Sequence, residues 1–211
     1  MLNIFARASV SRVTDPVGAW LVRAGLTPNA MTVIGATATC VAALWFFPRN
    51  QLVVGSLVVA ALLLSDLLDG AMARTSGSVT RFGAVLDASC DRIADGVLFG
   101  SVVWWCFVVA GDRITGAAAL ICLGAAQVIS YVKARAEATG LNAGGGLVER
   151  AERFIITLLG TLLQGLGVPH ALSVALWLLV ALALFTVGQR LVAVWRSARA
   201  LDRESARGKT T

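Results

Sequence analysis

Long apolar segments separated by short polar breaks are the feature that most constrains the fold of this chain. About 20 consecutive apolar residues are needed for a helix to cross a lipid bilayer. The chain is 57% hydrophobic and 14% charged, whereas roughly a quarter of the residues in a soluble domain are charged. Because there is too little charge to cover a soluble globule, we predict an all-α integral membrane protein with six transmembrane helices, at 28–47, 52–73, 84–110, 114–138, 151–165 and 171–195.

The chain is expected to form a single domain of 211 residues, since no internal repeat and no separable second domain is evident. The six-helix bundle occupies residues 28–195, and a basic cytoplasmic tail follows at 196–211. For residues 14–25 we predict a short amphipathic helix that lies on the membrane interface. Pro16 suits its first turn and Gly25 suits its end. Its apolar residues share one stripe of the helix: Val17, Trp20, Leu21 and Ala24.

The arginines and lysines collect at one set of segment ends, while the opposite loops carry only Arg49 and Arg113. Because loops rich in arginine and lysine stay in the cytoplasm, both termini are predicted to be cytoplasmic. The net charge of +6 is then explained by attraction to anionic lipid and to phosphate substrates. We expect membrane lipid as a partner and no nucleic acid.

Four aspartates lie where the second and third apolar segments reach the membrane edge. Asp66 and Asp69 are spaced i,i+3, and Asp87 and Asp91 are spaced i,i+4. On helices, each pair shares one face. A carboxylate beside hydrocarbon is costly and by default marks a functional site. Four carboxylates brought together could not all stay ionised without cations between them, so the spacing predicts a metal site.

The oxygen-only ligand set indicates a hard cation, Mg²⁺ or Mn²⁺, rather than zinc. Two such ions about 4 Å apart can clamp a pyrophosphate and stabilise both the attacking and the leaving oxygen. Arg74 shares a helical stripe with Asp66 and Gly70, which offers a guanidinium for phosphate. For Asp95, one turn beyond Asp91, a supporting hydrogen-bond role is favoured over metal ligation. The competing interpretation is that the acids pair structurally with nearby arginines: Arg74, Arg81 and Arg92.

The string Asp66-x-x-Asp69-Gly70-x-x-Ala73-Arg74, followed after eight residues by Gly83-x-x-x-Asp87-x-x-x-Asp91, resembles the complete signature of the CDP-alcohol phosphotransferases. The resemblance covers essentially the whole chain, because the six-segment layout and the place of the string between the second and third segments also fit. It implies a membrane-embedded enzyme with two metal ions that displaces CMP from a CDP-linked lipid with an alcohol.

The resemblance also implies roles for individual residues. Asp66, Asp69 and Asp87 would be metal ligands, and Asp91 would touch the metal site and accept the proton of the attacking hydroxyl. A homodimer in a bacterial plasma membrane is implied in the same way, while the distribution of arginine and lysine predicts that the active site faces the cytoplasm. The pocket for CDP-diacylglycerol would be lined by Asn29, Ala30, Met31, Thr32, Gly70, Arg74 and Thr80.

A second basic cluster is predicted at the cytoplasmic level, from residues on three different segments. Arg153 and Arg190 border apolar stretches, where an unpaired cation is unfavourable, and Lys133 ends the fourth segment. We expect these three residues to hold the phosphate of a phosphorylated alcohol, with positive-inside anchoring as the alternative. Residues 149–154 resemble those of the bacterial phosphatidylinositol phosphate synthases, which implies myo-inositol 1-phosphate as the acceptor. Glycerol 3-phosphate, the acceptor of phosphatidylglycerophosphate synthases, is the runner-up.

An alternative of another class is a cation transporter or channel, because such proteins also carry intramembrane carboxylates. They usually place their acids near the midplane of the membrane or on several separate helices. Here the acids lie at one face of the membrane, beside arginines suited to phosphate, which favours the enzyme.

Glycine, cysteine and histidine residues outside these clusters carry weaker signals. The glycine-rich residues 142–146 are expected to form a mobile loop. The four cysteines have no C-x-x-C spacing and are expected to be small apolar residues. The single histidine, His170, is expected to be structural or to face solvent.

Overall fold

The computed structural model describes residues 16–64, 72 and 80–208, with side chains through residue 203. All regular structure in these residues is helical, which confirms the predicted all-α class. A 3₁₀ turn at Phe47–Arg49 extends the second helix, and a π-helical turn at Trp105–Val109 extends the fourth. In chain order the helices are α1 (16–23), α2 (Pro28–Phe46), α3 (Leu52–Leu63), α4 (Arg81–Trp104), α5 (Arg113–Ala138), α6 (Arg150–Gly165) and α7 (Ala171–Gly208).

Four helical stretches in the described part of the chain are long and apolar enough to cross a membrane, and the chain is therefore a membrane protein. Helix α6 has 16 residues, fewer than the roughly 20 that a span requires. Helix α3 is apolar and is described to Leu63, and the remainder of the predicted segment 52–73 lies outside the described residues apart from Leu64 and Met72. The four long stretches are Pro28–Arg49, Arg81–Val109, Arg113–Ala138 and Ala171–Arg203.

Helix α1 forms where the interfacial helix was expected, and it ends as its sequence predicts. Gly25 has a φ of 88°, a left-handed conformation that glycine adopts without a steric penalty. The Gly25 N–H donates to the Val22 carbonyl at 3.0 Å, and the Leu26 N–H donates to the Leu21 carbonyl at 3.1 Å. This pair of bonds closes the helix. The placement of α1 on a membrane surface stays a prediction.

The chain divides into two compact units, Met1–Ser101 and Val102–Thr211. In the first unit, α2 and α3 form a helical hairpin in which Gly55 faces two aromatic side chains. A Cβ atom added at Gly55 would lie 2.7 Å from atoms of Phe46 and of Phe47. Glycine therefore allows the two helices to approach closely beside the turn.

Helix α4 begins at Arg81, three residues before the predicted start of the third apolar segment. Thr80 caps it, because its Oγ1 accepts from the Gly83 N–H at 2.9 Å. The cap places the first turn of α4 in the polar sequence that precedes the apolar segment. The apolar pattern does not reveal this first turn, which explains why the segment was predicted to start at residue 84 and not at Arg81.

In the second unit, α5, α6 and α7 pack around small side chains. A Cβ atom added at Gly160 would lie 2.5 Å from the Cβ of Ala175, so α6 and α7 approach closely at this point. Ala125 and Ile129 of α5 share a buried cluster with Ala183 of α7. Helix α7 continues to Gly208, so residues 196–208 of the predicted basic tail are helical.

The cap of α5 lies in the break before Arg113. Asp112 Oδ1 accepts from the Thr115 N–H at 3.0 Å, and Asp112 Oδ2 accepts from the Thr115 hydroxyl at 2.6 Å. These hydrogen bonds hold the pKa of Asp112 below its ordinary value, and the bond from the Thr115 hydroxyl makes the largest contribution. His170 makes a smaller contribution.

Candidate active site

Two of the four predicted metal ligands lie in the described structure, on one face of α4. Asp87 is exposed, and Asp91 follows one helical turn later and is partly buried. Asp66 and Asp69 fall outside the described residues, as do Gly70 and Arg74 of the donor pocket. The helix therefore holds Asp87 and Asp91 on one side, as their spacing predicts.

Arg92 lies between two acids of α4. Its Nη1 atom is 3.0 Å from Asp95 Oδ2, and its Nη2 atom is 3.9 Å from Asp91 Oδ2. Asp95 is 0% exposed, and a buried carboxylate needs a cationic or hydrogen-bonding partner. The Asp95–Arg92 pair fits the supporting role expected for Asp95. The structural pairing predicted as the competing interpretation is thus present in part, at Arg92.

The starts of α2 and α4 meet within the first unit. A Cβ atom added at Gly83 would lie 3.0 Å from Asn29 Oδ1 and 3.0 Å from Thr80 Oγ1. Glycine at this signature position therefore lets the two polar side chains pack closely against the first turn of α4. The geometry brings together Asn29 and Thr80, which the resemblance assigns to the same pocket.

The other residues expected in the donor pocket lie in the first turn of α2. Thr27 caps this helix, because its Oγ1 accepts from the Ala30 N–H at 3.2 Å. Thr32 Oγ1 donates to the Pro28 carbonyl at 3.1 Å. Met31 lies between Ala30 and Thr32. The first turn of α2 therefore carries residues 29–32, and of these Asn29 lies next to Gly83.

The donor chemistry of α4 fits a hard divalent cation. Carboxylate oxygens are the ligands that Mg²⁺ and Mn²⁺ prefer, and Asp87 and Asp91 supply them from one helix face. Among the described residues, no group of three or more histidine, cysteine, aspartate or glutamate side chains could hold a metal ion. A metal ion bound to Asp87 and Asp91 would therefore need further ligands from elsewhere in the chain or from a substrate.

The arginines of the predicted acceptor cluster are buried in the second unit. Arg153 is 3% exposed and Arg190 is 4% exposed, whereas Lys133 is exposed. Arg153 lies in the first turns of α6, close to the positive end of that helix. Buried guanidinium groups are rare unless they are paired or hydrogen-bonded, so both arginines mark a specialised environment.

Arg190 is held by three parts of the second unit. Its Nη1 atom donates to the Ile129 carbonyl at 2.7 Å, and its Nε atom donates to the Gly145 carbonyl at 3.3 Å. Its Nη2 atom lies 4.0 Å from Glu149 Oε1. Ile129 is one helical turn before Lys133, and Glu149 is one turn before Arg153. Arg190 thus contacts both elements that carry the other two predicted cations.

Sequence reasoning missed the side chains that hold residues 142–149, the segment between α5 and α6. Thr186, Gln189 and Ser197 of α7 all accept from its backbone N–H groups. The signal was available, because Thr186, Gln189 and Arg190 are polar residues spaced i, i+3 and i+4 on a largely apolar helix.

A model of the CDP-alcohol phosphatidyltransferase family matches residues 25–188. The phosphatidylinositol phosphate synthase of Mycobacterium marinum is 52% identical over 200 residues, which cover 93% of this chain and 86% of that protein. The phosphatidylinositol phosphate synthase of Mycobacterium tuberculosis is 48% identical over 211 residues, which cover 99% of this chain and 97% of that protein.

Solved structures of the Mycobacterium tuberculosis synthase are also similar to this chain. The structure with CDP-DAG bound has a TM-score of 0.85 at 50% identity and covers 88% of this chain and 95% of its own. The complex with manganese and citrate has a TM-score of 0.85 at 49% identity, and the match covers 88% of this chain and 90% of the chain in that structure. The manganese of that complex is a divalent cation, which agrees with the carboxylate donors of α4. The chain belongs to the CDP-alcohol phosphatidyltransferase family and is a phosphatidyltransferase.

Proposed function

We propose that this enzyme transfers the phosphatidyl group of CDP-diacylglycerol to myo-inositol 1-phosphate, which gives phosphatidylinositol phosphate and CMP. The observation that carries the choice of acceptor is the burial of Arg153 and Arg190 at 3% and 4% exposure in one unit. Two such guanidinium groups favour an acceptor that brings its own phosphate over a neutral alcohol. The relatives that match almost the whole chain are named for the same product.

The donor is held by the aspartate motif and the first turn of α2. Asp66, Asp69, Asp87 and Asp91 would ligate two Mg²⁺ ions, or Mn²⁺, and such ions would supply positive charge to balance the pyrophosphate. The nucleotide would lie against the residues expected from the resemblance: Asn29, Ala30, Met31, Thr32, Gly70, Arg74 and Thr80. Asn29 and Thr80 both lie against Gly83, where even a Cβ atom would be 3.0 Å from each side chain, so glycine keeps these two polar groups close to the first turn of α4.

Asp91 takes the proton of the acceptor hydroxyl. The hydroxyl oxygen then forms a bond to the phosphorus that carries the diacylglycerol, and the phosphoanhydride bond breaks. CMP leaves with the bonding electrons. Arg92, at 3.9 Å from Asp91 and 3.0 Å from Asp95, restrains the direction of the Asp91 carboxylate during this transfer.

The acceptor phosphate is held by Lys133, Arg153 and Arg190. Two of the five N–H donors of Arg190 bind main-chain carbonyls, which fixes the plane of the guanidinium while other donors can face a phosphate. Glu149 is 65% exposed in its side chain and lies 4.0 Å from Arg190 Nη2. Its negative charge balances Arg190 until an anionic acceptor binds.

We further propose six spans, with α3 and α6 completing the four long ones, and both termini and the active site in the cytoplasm of a bacterium. Helix α1 would lie on the inner surface of the plasma membrane, and two copies of the chain would form a homodimer. The distribution of arginine and lysine supports this orientation. Cross-linking of purified protein in detergent tests the dimer, and a purely monomeric product would contradict it.

An acceptor panel tests the proposed reaction. Purified enzyme, CDP-diacylglycerol and Mg²⁺ are incubated with myo-inositol 1-phosphate, glycerol 3-phosphate or free inositol, and CMP release is measured. We expect the highest kcat/KM with myo-inositol 1-phosphate. Preference for glycerol 3-phosphate would move the assignment to phosphatidylglycerophosphate synthesis, and equal use of free inositol would remove the phosphate pocket. The cation-transport alternative has no support, since the chain belongs to a family of phosphatidyltransferases.

A further inference from the structure

Residues 142–149, here named the acceptor loop, are tied to α7 along their length. The Asn142 N–H donates to Ser197 Oγ at 3.0 Å, and the Leu147 N–H donates to Gln189 Oε1 at 3.2 Å. The Gly145 carbonyl accepts from Arg190 Nε at 3.3 Å. The loop also carries an internal bond, from the Gly144 N–H to Asn142 Oδ1 at 2.6 Å. A segment with three glycines, for which mobility was predicted, therefore forms hydrogen bonds with several side chains of one helix.

Thr186 makes the most deeply buried of these contacts. Its side chain is 0% exposed, and its Oγ1 accepts from the Val148 N–H at 3.3 Å while donating to the Leu182 carbonyl at 2.8 Å. Val148 is itself 2% exposed. The Thr186 methyl group also lies 3.0 Å from the place that a Cβ atom on Gly146 would occupy. Thr186 thus contacts the loop at two points: its hydroxyl is the hydrogen-bond partner of the buried Val148 N–H, and its methyl group packs beside Gly146.

The Val148 N–H lies at the junction between the acceptor loop and α6. The next residue, Glu149, is the N-cap of α6 and forms a capping box with Glu152, whose Oε2 accepts from the Glu149 N–H at 3.0 Å. Arg153 follows in the next turn of the same helix. A displacement of Val148 would therefore move the start of α6 and the direction of Arg153.

The same displacement would act on Arg190 from the other side. Arg190 lies one helical turn after Thr186 on α7, and its Nε atom is bound to the loop at Gly145. The position of the loop therefore helps to set the plane of the Arg190 guanidinium, together with the Ile129 carbonyl. Both arginines proposed to hold the acceptor phosphate are therefore linked to the acceptor loop, which is hydrogen-bonded to the Thr186 hydroxyl at Val148.

We propose that Thr186 is a positioning residue for the acceptor: its hydroxyl fixes the acceptor loop and thereby aims Arg153 and Arg190 at the acceptor phosphate. This inference rests on the proposed function. It predicts an effect on the binding of the phosphorylated alcohol alone, because none of the contacts described for Thr186 involves a residue assigned to the donor.

The chain offers a matched control at Thr161. This residue is also 0% exposed and donates from Oγ1 to the carbonyl four residues earlier, that of Thr157, at 2.7 Å. In the described structure its hydroxyl has no partner in the acceptor loop. Thr161→Val and Thr186→Val therefore remove the same group and the same intrahelical bond, and differ in the bond to the loop.

The experiment compares KM for myo-inositol 1-phosphate, KM for CDP-diacylglycerol and the melting temperature. We expect Thr186→Val to raise the acceptor KM roughly five- to twentyfold, as for a buried N–H group that loses its partner. Its CDP-diacylglycerol KM should stay within about twofold of the wild-type value. Thr161→Val, which loses its own buried intrahelical bond, should lower the melting temperature without raising either KM. Thr186→Ser, which keeps the hydroxyl, should restore the acceptor KM.

An acceptor KM for Thr186→Val that equals that of Thr161→Val overturns the proposal, as does an equal rise in both KM values. If Thr186→Val does not fold, Gln189→Leu removes the bond from the Leu147 N–H to a partly buried side chain. This variant must then raise the acceptor KM and leave the CDP-diacylglycerol KM unchanged. If the wild-type enzyme prefers another phosphorylated alcohol, the proposed function fails. The same comparison made with that alcohol still decides the role of Thr186.

Discussion

Arg190 donates from Nη1 to the main-chain carbonyl of Ile129 at 2.7 Å, although the two residues lie on different helices and 61 positions apart. The Ile129 carbonyl lies inside α5, where backbone groups already bond along the helix. A charged donor on such a carbonyl is a strong restraint. Arg190 therefore combines a structural bond with the proposed contact to the acceptor phosphate, and the two roles make different experimental predictions.

Substitution of the two buried arginines should separate these roles. We expect Arg153→Ala and Arg190→Ala each to raise the acceptor KM by about ten- to a hundredfold, since a charge-assisted bond to phosphate contributes about 1.5–3 kcal/mol. Arg190→Ala should also lower the melting temperature, because it loses the bonds to Ile129 and Gly145. Steady-state kinetics and thermal unfolding in detergent measure both effects.

Arg203→Ala is the control for these variants, because Arg203 is exposed near the end of α7. It should change neither quantity. A lower melting temperature for Arg190→Ala with an unchanged acceptor KM would make Arg190 purely structural. Equal weakening of donor and acceptor binding by Arg153→Ala would contradict a separate phosphate pocket.

Asp87 should be essential for activity and dispensable for folding. Asp87→Asn removes a ligand charge but keeps the shape of an exposed side chain on α4, so activity should fall by orders of magnitude with little change in melting temperature. The same result is expected for Asp66→Asn and Asp69→Asn. EDTA should stop the wild-type reaction, and Mg²⁺ or Mn²⁺ should restore it.

Asp202→Asn serves as the matched control for the metal ligands, since Asp202 is an exposed aspartate near the end of α7. It should retain full activity. Turnover near the wild-type rate in any one of the three motif variants would exclude that aspartate from the metal site.

Asp91 should affect the chemical step more than the binding of CDP-diacylglycerol. General-base catalysis contributes about 10²–10⁴-fold to a rate, so Asp91→Asn should lower kcat by at least that range. Binding of the CDP-lipid, measured by isothermal titration or by a competition assay, should weaken far less. A loss of donor affinity as large as the loss of rate would instead make Asp91 chiefly a metal ligand.

The ends of the helices were largely predictable because local signals decide them. Gly25 ends α1 with a φ of 88°. The shared helix face of Asp87 and Asp91 on α4 follows from their i,i+4 spacing alone. The start of α4 at Arg81 was missed by three residues, because the Thr80 cap lies in polar sequence. Apolarity marks where a helix meets lipid, and it does not mark where that helix begins.

The partners of Arg190 and of the acceptor loop could not be predicted, because they join residues far apart in the sequence. An arginine at the edge of an apolar segment predicts a main-chain contact as readily as a phosphate contact. The glycines of residues 142–146 indicate a flexible backbone, but the groups that fix it lie on α7. The composition of a loop carries no information about side chains that reach it from another helix.

Cysteine labelling should test the proposed orientation of the membrane spans. In a background without the four native cysteines, a single cysteine at Asn50 should react with an impermeant reagent added outside intact cells. Cysteines at Ser76 and Thr139 should react only after permeabilisation, because arginine and lysine collect on their side. Reaction of Thr139→Cys from outside would reverse the orientation and with it the supply of substrates from the cytoplasm.

Asp112 should stabilise the second unit at neutral pH and lose this contribution in acid. Its pKa is held below the ordinary value by the hydrogen bonds from Thr115, so the folded state favours the charged form. The stabilisation is complete above the unfolded-state pKa and disappears as the pH falls through the lowered, folded-state pKa. We expect Asp112→Ala to cost about 1 kcal/mol at pH 7, the usual contribution of an N-cap, and kcat/KM to stay unchanged. Thermal unfolding of both proteins between neutral and acidic pH measures the difference, which should shrink towards low pH. A difference that grows on acidification would contradict a charged cap.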